Sequence, residues 1–368
     1  MNSSRNDGGY ATMITGYLQT VGVRSEEDIP YQGKPEDPDS MVEYYLASLD
    51  LKPEKYDTAP VQFEVTDLIF MREASPEKIK ETILRCGAVS TNYHDNPDTF
   101  NPETGAAWDL RLQNEESNHA VSVVGWDDHY PRTNFKEIDG RFPAADGAWL
   151  IKNSYGQDYG ADGGYTWISY EDEYIFTSAE YEYMYAVKGI RKPLGYKCYS
   201  HDERGAIWDW SPECDGTAVF AVTYDFAAQE ELREISFVTW SEDADYELYY
   251  APTEGGVPSA DESSWIPLAS GKTEHAGYLR IPLDKAFALP QGNGAILLKL
   301  TGETPNIGTD EFRIKDRRNV FTANIDEGTS FLLKNGSFEQ AAVEKADIDE
   351  VAYMEKIDLC IRAYTVGK

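Results

Sequence analysis

This 368-residue sequence lacks long apolar runs and has few basic residues relative to its acidic ones. No apolar run approaches the ~20 residues that a membrane helix requires, so the sequence predicts no membrane span. Its first residues, MNSSRNDGGYATM, contain no basic stretch followed by an apolar core, so no signal peptide is visible. Lys and Arg total 33 against 65 Asp and Glu, which gives a formal net charge of -32. A field of this sign repels phosphate backbones, and we expect no nucleic-acid partner.

Cysteine is also scarce, with four residues at Cys86, Cys198, Cys214 and Cys360. Four are too few for a disulfide scaffold, and none of the spacings is the C-x-x-C of a metal site. A Cys198–Cys214 disulfide and four free thiols are both compatible with the spacing. The sequence predicts neither a metal site nor a cofactor, and cysteine usage leaves the redox compartment open.

The first ~190 residues combine helical patterns with strand patterns. Apolar residues recur at helical spacing from Tyr10 to Val21, which predicts an amphipathic helix that ends at Gly22. A further helix is predicted over SPEKIKETILRCG, with Ser75 as N-cap and Gly87 as the stop signal. Strand-like runs follow, namely GAVSTNY, HAVSVVGW, GAWLIKN and GYTWISY. Helices followed by an antiparallel sheet predict an α+β arrangement.

Beyond KGIRKPLG the helical pattern stops. Short alternating runs such as TAVFAVTYDF, LREISFVTW, GAILLKL and IDLCIRAYTV recur, with Gly, Pro and Asp turns between them. This pattern predicts an all-β sandwich. The length of the chain also suggests two domains, and we place their boundary near Lys192-Pro193. The predicted domains are therefore residues 1–192 and 193–368.

His119 begins an apolar, β-branched run, and Asn153 ends another. Both faces of HAVSVVGWD are mostly apolar, which predicts a strand buried on both sides with its histidine at the sheet edge. An asparagine amide can accept the N–H of one imidazole nitrogen and so point the other nitrogen at a nucleophile. Tyr155 lies two residues further on, where an aromatic ring could cover that bond. The alternatives are a structural histidine and an asparagine that simply terminates a strand.

Two segments together, NHAVSVVGW and GAWLIKNSYG followed by GGYTWISY, resemble the histidine and asparagine segments of papain-type cysteine proteases. The resemblance implies that His119 is the general base and acid and that Asn153 is the orienting amide. Tyr155 stands where the family usually has tryptophan. NDGGY resembles a segment that lines the substrate cleft in this family, which implies substrate contacts at Gly8 and Gly9.

The family's catalytic cysteine precedes the Gly-Gly segment, and no cysteine stands there in this sequence. Cys86 is a poor substitute, because the helix dipole raises a thiol pKa in the last turn and Cys86 shares the apolar stripe of Ile79 and Ile83. We therefore expect an incomplete site that is inactive as given. The two explanations are a truncated enzyme, which we favour, and a natural protein that has lost catalysis. Either would leave the apolar face of the first helix exposed.

The second half resembles the lectin-like domain that accompanies papain-type domains in secreted and surface proteases of Gram-positive bacteria. This resemblance implies a secreted or cell-surface protein, and a cell-wall glycan as a candidate ligand. Trp208, Trp210 and Trp240 are candidate glycan contacts, although such aromatic residues also fill sandwich cores. The predicted function is a cysteine endopeptidase acting on proteins or peptides. The alternative is a non-catalytic glycan- or wall-binding protein with a protease-like half, and a Cys-His cell-wall amidase fits less well.

Overall fold

The computed structural model describes residues 11–29, 59–110, 117–160, 162–176, 183–202, 205–206, 208–311, 313–315, 320–322, 326, 328–346 and 352–367. The chain divides into two compact units, residues 68–188 on one hand and residues 1–67 with 189–368 on the other. We call them the His119 unit and the sandwich unit. Among the described helices, none combines the length and the apolar character that crossing a membrane would require.

In the His119 unit, helix α2 (Pro76–Cys86) forms where its caps predict it. Ser75 accepts the backbone N–H of Lys78 at 3.2 Å, and Gly87 ends the helix with a φ of 87°. The helix buries Ile79 and Ile83 against the sheet of this unit. The helix prediction is confirmed, and Cys86 packs half-buried against the same core.

The sheet of the His119 unit has the order β3-β4-β7-β6-β5-β2-β8-β1. Its strands are β1 (Glu64–Met71), β2 (Val89–Tyr93), β3 (Phe100–Asn101), β4 (Ala106–Ala107), β5 (His119–Asp127), β6 (Ala148–Lys152), β7 (Tyr165–Ser169) and β8 (Met184–Arg191). The pairs β2–β5, β5–β6 and β6–β7 are antiparallel, whereas β4 pairs with β7 in parallel. The predicted α+β arrangement is confirmed.

Strand β5 is buried on one face, not on both. Val121 and Val123 are 5% and 0% exposed, but Ala120 is exposed and Ser122 is half-buried. The prediction of two buried faces is wrong because an apolar pattern does not show whether another element covers a face, and Val124 on the second face is also only half-buried. A register shift between Val123 and Gly125 also bends β5 where it pairs with β6.

The sandwich unit contains seventeen described strands. They are β9 (Lys197–Tyr199), β10 (Trp208–Trp210), β11 (Thr217–Phe226), β12 (Glu230–Thr239), β13 (Asp245–Glu254), β14 (Val257–Pro258), β15 (Ile266–Lys272), β16 (Gly277–Ala288), β17 (Gly292–Thr301), β18 (Ile307–Glu311), β19 (Arg313–Lys315), β20 (Val320–Thr322), β21 (Ser330–Lys334), β22 (Ser337–Gln340), β23 (Ala342–Ala346), β24 (Ala352–Leu359) and β25 (Ile361–Gly367). One sheet runs β14-β13-β17-β11-β21-β22, with β15 also on β13, and another contains β16-β12-β25-β9.

The core of the sandwich lies between these two sheets. Phe220 and Leu298 contribute from one sheet, and Phe237 and Ile361 contribute from the other, all of them fully buried. The predicted all-β sandwich is confirmed. The run IDLCIRAYTV forms the end of β24, in the sheet β10-β18-β24-β23, and then β25 in the sheet with β12. Between the two strands, Cys360 donates its backbone N–H to the Gly308 oxygen at 2.9 Å.

Helix α1 (Ala11–Thr20) belongs to the sandwich unit and packs by a face that its apolar pattern does not mark. Thr12, Thr15, Gly16 and Gln19 are its buried residues, whereas Ile14 and Tyr17 are 43% and 42% exposed. Exposure of the apolar face is confirmed for these two side chains. The close contact is with Gly205, where a Cβ would come within 2.8 Å of the Gly16 Cα.

A buried ion pair holds the end of helix α1 to the sandwich. The side chains of Arg362 and Asp202 are 2% and 0% exposed. Arg362 Nε lies 3.0 and 2.9 Å from the two Asp202 carboxylate oxygens, and its Nη2 also donates to Asp202. Its Nη1 donates to the backbone oxygen of Gln19 at 2.7 Å, in the last turn of the helix.

Candidate active site

His119 and Asn153 meet where β5 begins and β6 has just ended. His119 Nε2 lies 3.0 Å from Asn153 Oδ1. Asn153 is 9% exposed, and its backbone N–H donates to the oxygen of Gly164 at 3.1 Å. Antiparallel pairing of β5 with β6 brings the two side chains together although 34 residues separate them.

The backbone of Ser154 fixes the orientation of the Asn153 amide. Ser154 donates its N–H to Asn153 Oδ1 at 2.7 Å, so the atom that faces His119 must be the oxygen. His119 Nε2 is therefore the protonated nitrogen of the neutral ring, and Nδ1 carries the lone pair. A histidine in this state can accept a proton at Nδ1 from a nucleophile while Nε2 stays bonded to the amide.

Two tyrosine rings contact the imidazole. The Tyr155 ring stacks on His119, with centroids 4.9 Å apart and planes inclined by 9°. The Tyr93 ring meets His119 edge-on at 5.8 Å, because Tyr93 and His119 are direct partners in the pairing of β2 with β5. Tyr155 is itself 46% exposed, so it covers the imidazole from the solvent side.

Sequence reasoning missed Tyr93 and, next to it, Asp95. The side-chain carboxylate of Asp95 accepts hydrogen bonds from the hydroxyls of both tyrosines. Strand pairing could have indicated Tyr93, since it ends the strand that lies next to His119. Nothing in the sequence marks Asp95, which occupies an ordinary loop position.

Cys86 lies away from His119. It ends helix α2, and the chain enters β2 three residues later at Val89. Val89 pairs with Val123, whereas His119 pairs with Tyr93 at the other end of β2. Four residue steps of strand, about 13 Å, separate these ends, so Cys86 precedes the end of β2 that is remote from His119.

The remaining predicted site residues have different surroundings. Gly8 and Gly9 lie outside the described residues. Trp208 and Trp210 are half-buried on β10, where the Trp210 ring meets the core residue Phe220 edge-on at 6.1 Å. Trp240 is half-buried after β12, and its backbone N–H donates to Asn306 Oδ1 at 2.6 Å.

All four cysteines lie within the part of the chain that the structure describes. All four cysteines are free, so of the two alternatives left by their spacing the structure has the free thiols. In the part of the chain that the structure describes, no three His, Cys, Asp or Glu side chains are grouped as metal ligands.

Comparison with protein families places this geometry in a known context. The family model described as papain family cysteine protease matches residues 2–186. The chain belongs to the papain family of cysteine proteases. A second model, described as a lectin like domain, matches residues 198–365. None of the curated proteins compared with the sequence matches it.

Two solved structures of one papain-family protein resemble this chain over nearly its whole length. One is the clostridial cysteine protease Cwp84 after propeptide cleavage, with 31% identity, a TM-score of 0.79, and coverage of 98% of this chain and 83% of that one. The other contains the cysteine protease and lectin-like domains of Cwp84, a surface layer associated protein of Clostridium difficile. Its identity is 31% and its TM-score 0.76, over 96% of this chain and 72% of that one.

Proposed function

We propose that this chain is the histidine-bearing part of a surface cysteine endopeptidase, in which His119 shuttles the proton and Asn153 orients it. The observation that carries the proposal is the 3.0 Å bond from His119 Nε2 to Asn153 Oδ1. It leaves Nδ1 as the basic nitrogen, the state in which imidazole can deprotonate a thiol and later protonate a leaving amine. Tyr155 covers this bond in place of the family's tryptophan, and a bond screened from water is stronger.

The substrate we propose is a protein or peptide bound in extended form. Gly8 and Gly9 remain the predicted cleft residues, since glycine allows a substrate backbone to approach closely. We keep the domain division at residues 1–192 and 193–368. Similarity to a surface layer associated protease supports a secreted or cell-surface location, and a net charge of -32 suits a protein that must stay soluble there.

We further propose that none of the four cysteines is the nucleophile. Cys86 adjoins the end of β2 that is remote from His119, and it lies at a helix C-terminus, where the dipole disfavours a thiolate. Cys360 is 2% exposed, and burial raises its thiol pKa well above the ordinary value. We therefore expect the chain as given not to cleave peptides.

A fluorogenic peptide assay under reducing conditions tests both statements. We expect no cleavage by the 368-residue chain, and cleavage by a form of the protein that carries the family's catalytic cysteine. In that form His119→Ala should abolish turnover, whereas His129→Ala should not, because the His129 side chain is 97% exposed. Activity of the chain itself, lost in Cys86→Ser, would refute the assignment of the nucleophile. Full activity of His119→Ala would refute the role of the histidine.

A second candidate function is carbohydrate binding by residues 193–368, which the match to a lectin-like family model favours. Trp208, Trp210 and Trp240 remain the proposed glycan contacts, and their half-buried rings leave part of each surface accessible. Binding of the chain to a cell-wall glycan array, weakened by Trp208→Ala, would support it. Absence of binding at millimolar glycan would leave the sandwich with a structural role.

A further inference from the structure

Asp95 is the charged group that connects the two aromatic rings around His119. Tyr155 donates its hydroxyl to Asp95 Oδ2 at 2.6 Å, and Tyr93 donates to Oδ1 at 3.0 Å. Each carboxylate oxygen therefore holds one tyrosine; the Tyr155 ring stacks on the imidazole and the Tyr93 ring meets it edge-on. Hydrogen bonds to an ionised acceptor are shorter and stronger than bonds between neutral groups.

The backbone of Asp95 is fixed independently of its side chain. Its N–H donates to Asn118 Oδ1 at 2.8 Å, and its oxygen accepts Asn118 Nδ2 at 3.3 Å. Asn118 immediately precedes His119, so the loop that carries the carboxylate is attached to the strand that carries the imidazole. On either side of Asp95, His94 and Asn96 both bond to Asp109 Oδ2, at 2.8 and 3.1 Å.

The tyrosine hydroxyls remain donors over the working pH range. Burial raises the pKa of Tyr93 and Tyr155, and the Asp95 carboxylate raises both further. Both groups therefore stay protonated at neutral pH, as donation to Asp95 requires. A tryptophan at position 155 would have no hydroxyl to donate to Asp95, so the bond between residue 155 and the Asp95 carboxylate depends on the tyrosine.

We propose that Asp95 is a positioning residue, whose carboxylate holds the Tyr155 ring stacked on the His119 imidazole and the Tyr93 ring edge-on against it. This inference rests on the proposed role of His119. Asp95 acts through the two tyrosines, which keep the half-buried imidazole in one orientation and shield from water the face on which Tyr155 stacks. Loss of the carboxylate should free the exposed Tyr155 ring to leave the imidazole.

The Nε2 proton of His119 provides a readout that needs no catalysis. In a ¹⁵N-labelled chain, the ring nitrogen shifts identify the tautomer, and solvent exchange of the Nε2 proton measures how well the ring is covered. We expect the Nε2–H tautomer and slow exchange in the parent chain. Asp95→Asn and Tyr155→Phe should each accelerate exchange by about tenfold or more, the loss that a charge-assisted bond of ordinary strength implies.

The control variant is Asp98→Asn, which removes the same charge from an exposed position in the same loop. Only backbone atoms of Asp98 make described hydrogen bonds, to Asn96 and Lys136, so its exchange rate should match the parent chain. The combined Asp95→Asn and Tyr155→Phe variant should exchange no faster than Asp95→Asn alone, because Asp95→Asn already weakens the bond that Tyr155→Phe removes. Circular dichroism establishes that each variant is folded, and Tyr155→Phe alters only an exposed hydroxyl.

The outcomes separate this inference from the proposed function. An Nδ1–H tautomer in the parent chain would overturn the proposed role of His119. The Nε2–H tautomer with parent-like exchange in Asp95→Asn or in Tyr155→Phe would overturn the role of Asp95 alone. Free exchange of the Nε2 proton in the parent chain would overturn it as well, since the rings would then cover nothing.

Discussion

Replacement of Arg362 by methionine should destabilise the sandwich unit more than any exposed charge removal. Met fills much of the space of the arginine stem but leaves the Asp202 carboxylate, 0% exposed, without its cation. It also removes the donor to the Gln19 oxygen at 2.7 Å. Breaking a buried ion pair from one side costs about 3–5 kcal/mol, against a total stability of about 5–15 kcal/mol for ordinary proteins.

Urea unfolding followed by tryptophan fluorescence and circular dichroism would measure this cost. Arg233→Met is the matched control, because the Arg233 side chain is 40% exposed in its pair with Glu231 and the change should cost about 0–1 kcal/mol. The combined change Arg362→Met with Asp202→Leu removes both charges and should recover most of the lost stability. About 1 kcal/mol should remain lost, because the bond from Arg362 to the Gln19 oxygen is still missing. A loss below about 1 kcal/mol for Arg362→Met, or no recovery in the double variant, would refute this reasoning.

Two further predictions concern the His119 unit. In a form that carries the catalytic cysteine, Asn153→Ala should lower kcat about 10²-fold with little change in KM, because His119 keeps its position but loses its fixed tautomer; unchanged kinetics would contradict the orienting role. Burial raises the pKa of Asp172 from 3.8 to about 6, so the protonated form favours the folded state. The protonated Asp172 carboxyl should stabilise the folded state by on the order of 3 kcal/mol below pH ~4, and this stabilisation should be lost as the pH rises through ~6. Asp172→Asn, measured by urea unfolding between pH 4 and 7.5, should lack this decline, and curves that run parallel for both proteins would contradict it.

Local signals made part of this fold predictable. Helix α2 begins and ends at Ser75 and Gly87 because capping depends on residues that are adjacent in sequence. Many strands of both units follow from apolar or alternating runs bounded by turn residues, which are local signals as well. The bond between His119 and Asn153 was predictable only through the family resemblance. Local signals could not predict it, because the two residues stand 34 positions apart and strand pairing brings them together.

Contacts between distant residues explain what the sequence did not reveal. Helix α1 buries Thr15 and Gly16 rather than Ile14 because its partner surface at Gly205 admits only small side chains. Arg362 and Asp202 are separated by 160 positions, and charged residues are rarely fully buried unless they are paired. Asp95 belongs to the same class, since its role depends on two tyrosines, one of them 60 positions away.

The attachment of helix α1 to Arg362 bears on how this protein could be recombined with its relatives. The papain-family match ends at residue 186 and the lectin-like match begins at residue 198, which invites an exchange of modules in the intervening segment. In a chimera joined there, helix α1 would pack on the sandwich of another protein. That sandwich would lack the Arg362 guanidinium that donates to the Gln19 oxygen and the Gly205 that faces Gly16. The two halves should therefore be exchanged only together. A sandwich from another family member should accommodate helix α1 only when it carries the equivalents of Gly205, Asp202 and Arg362.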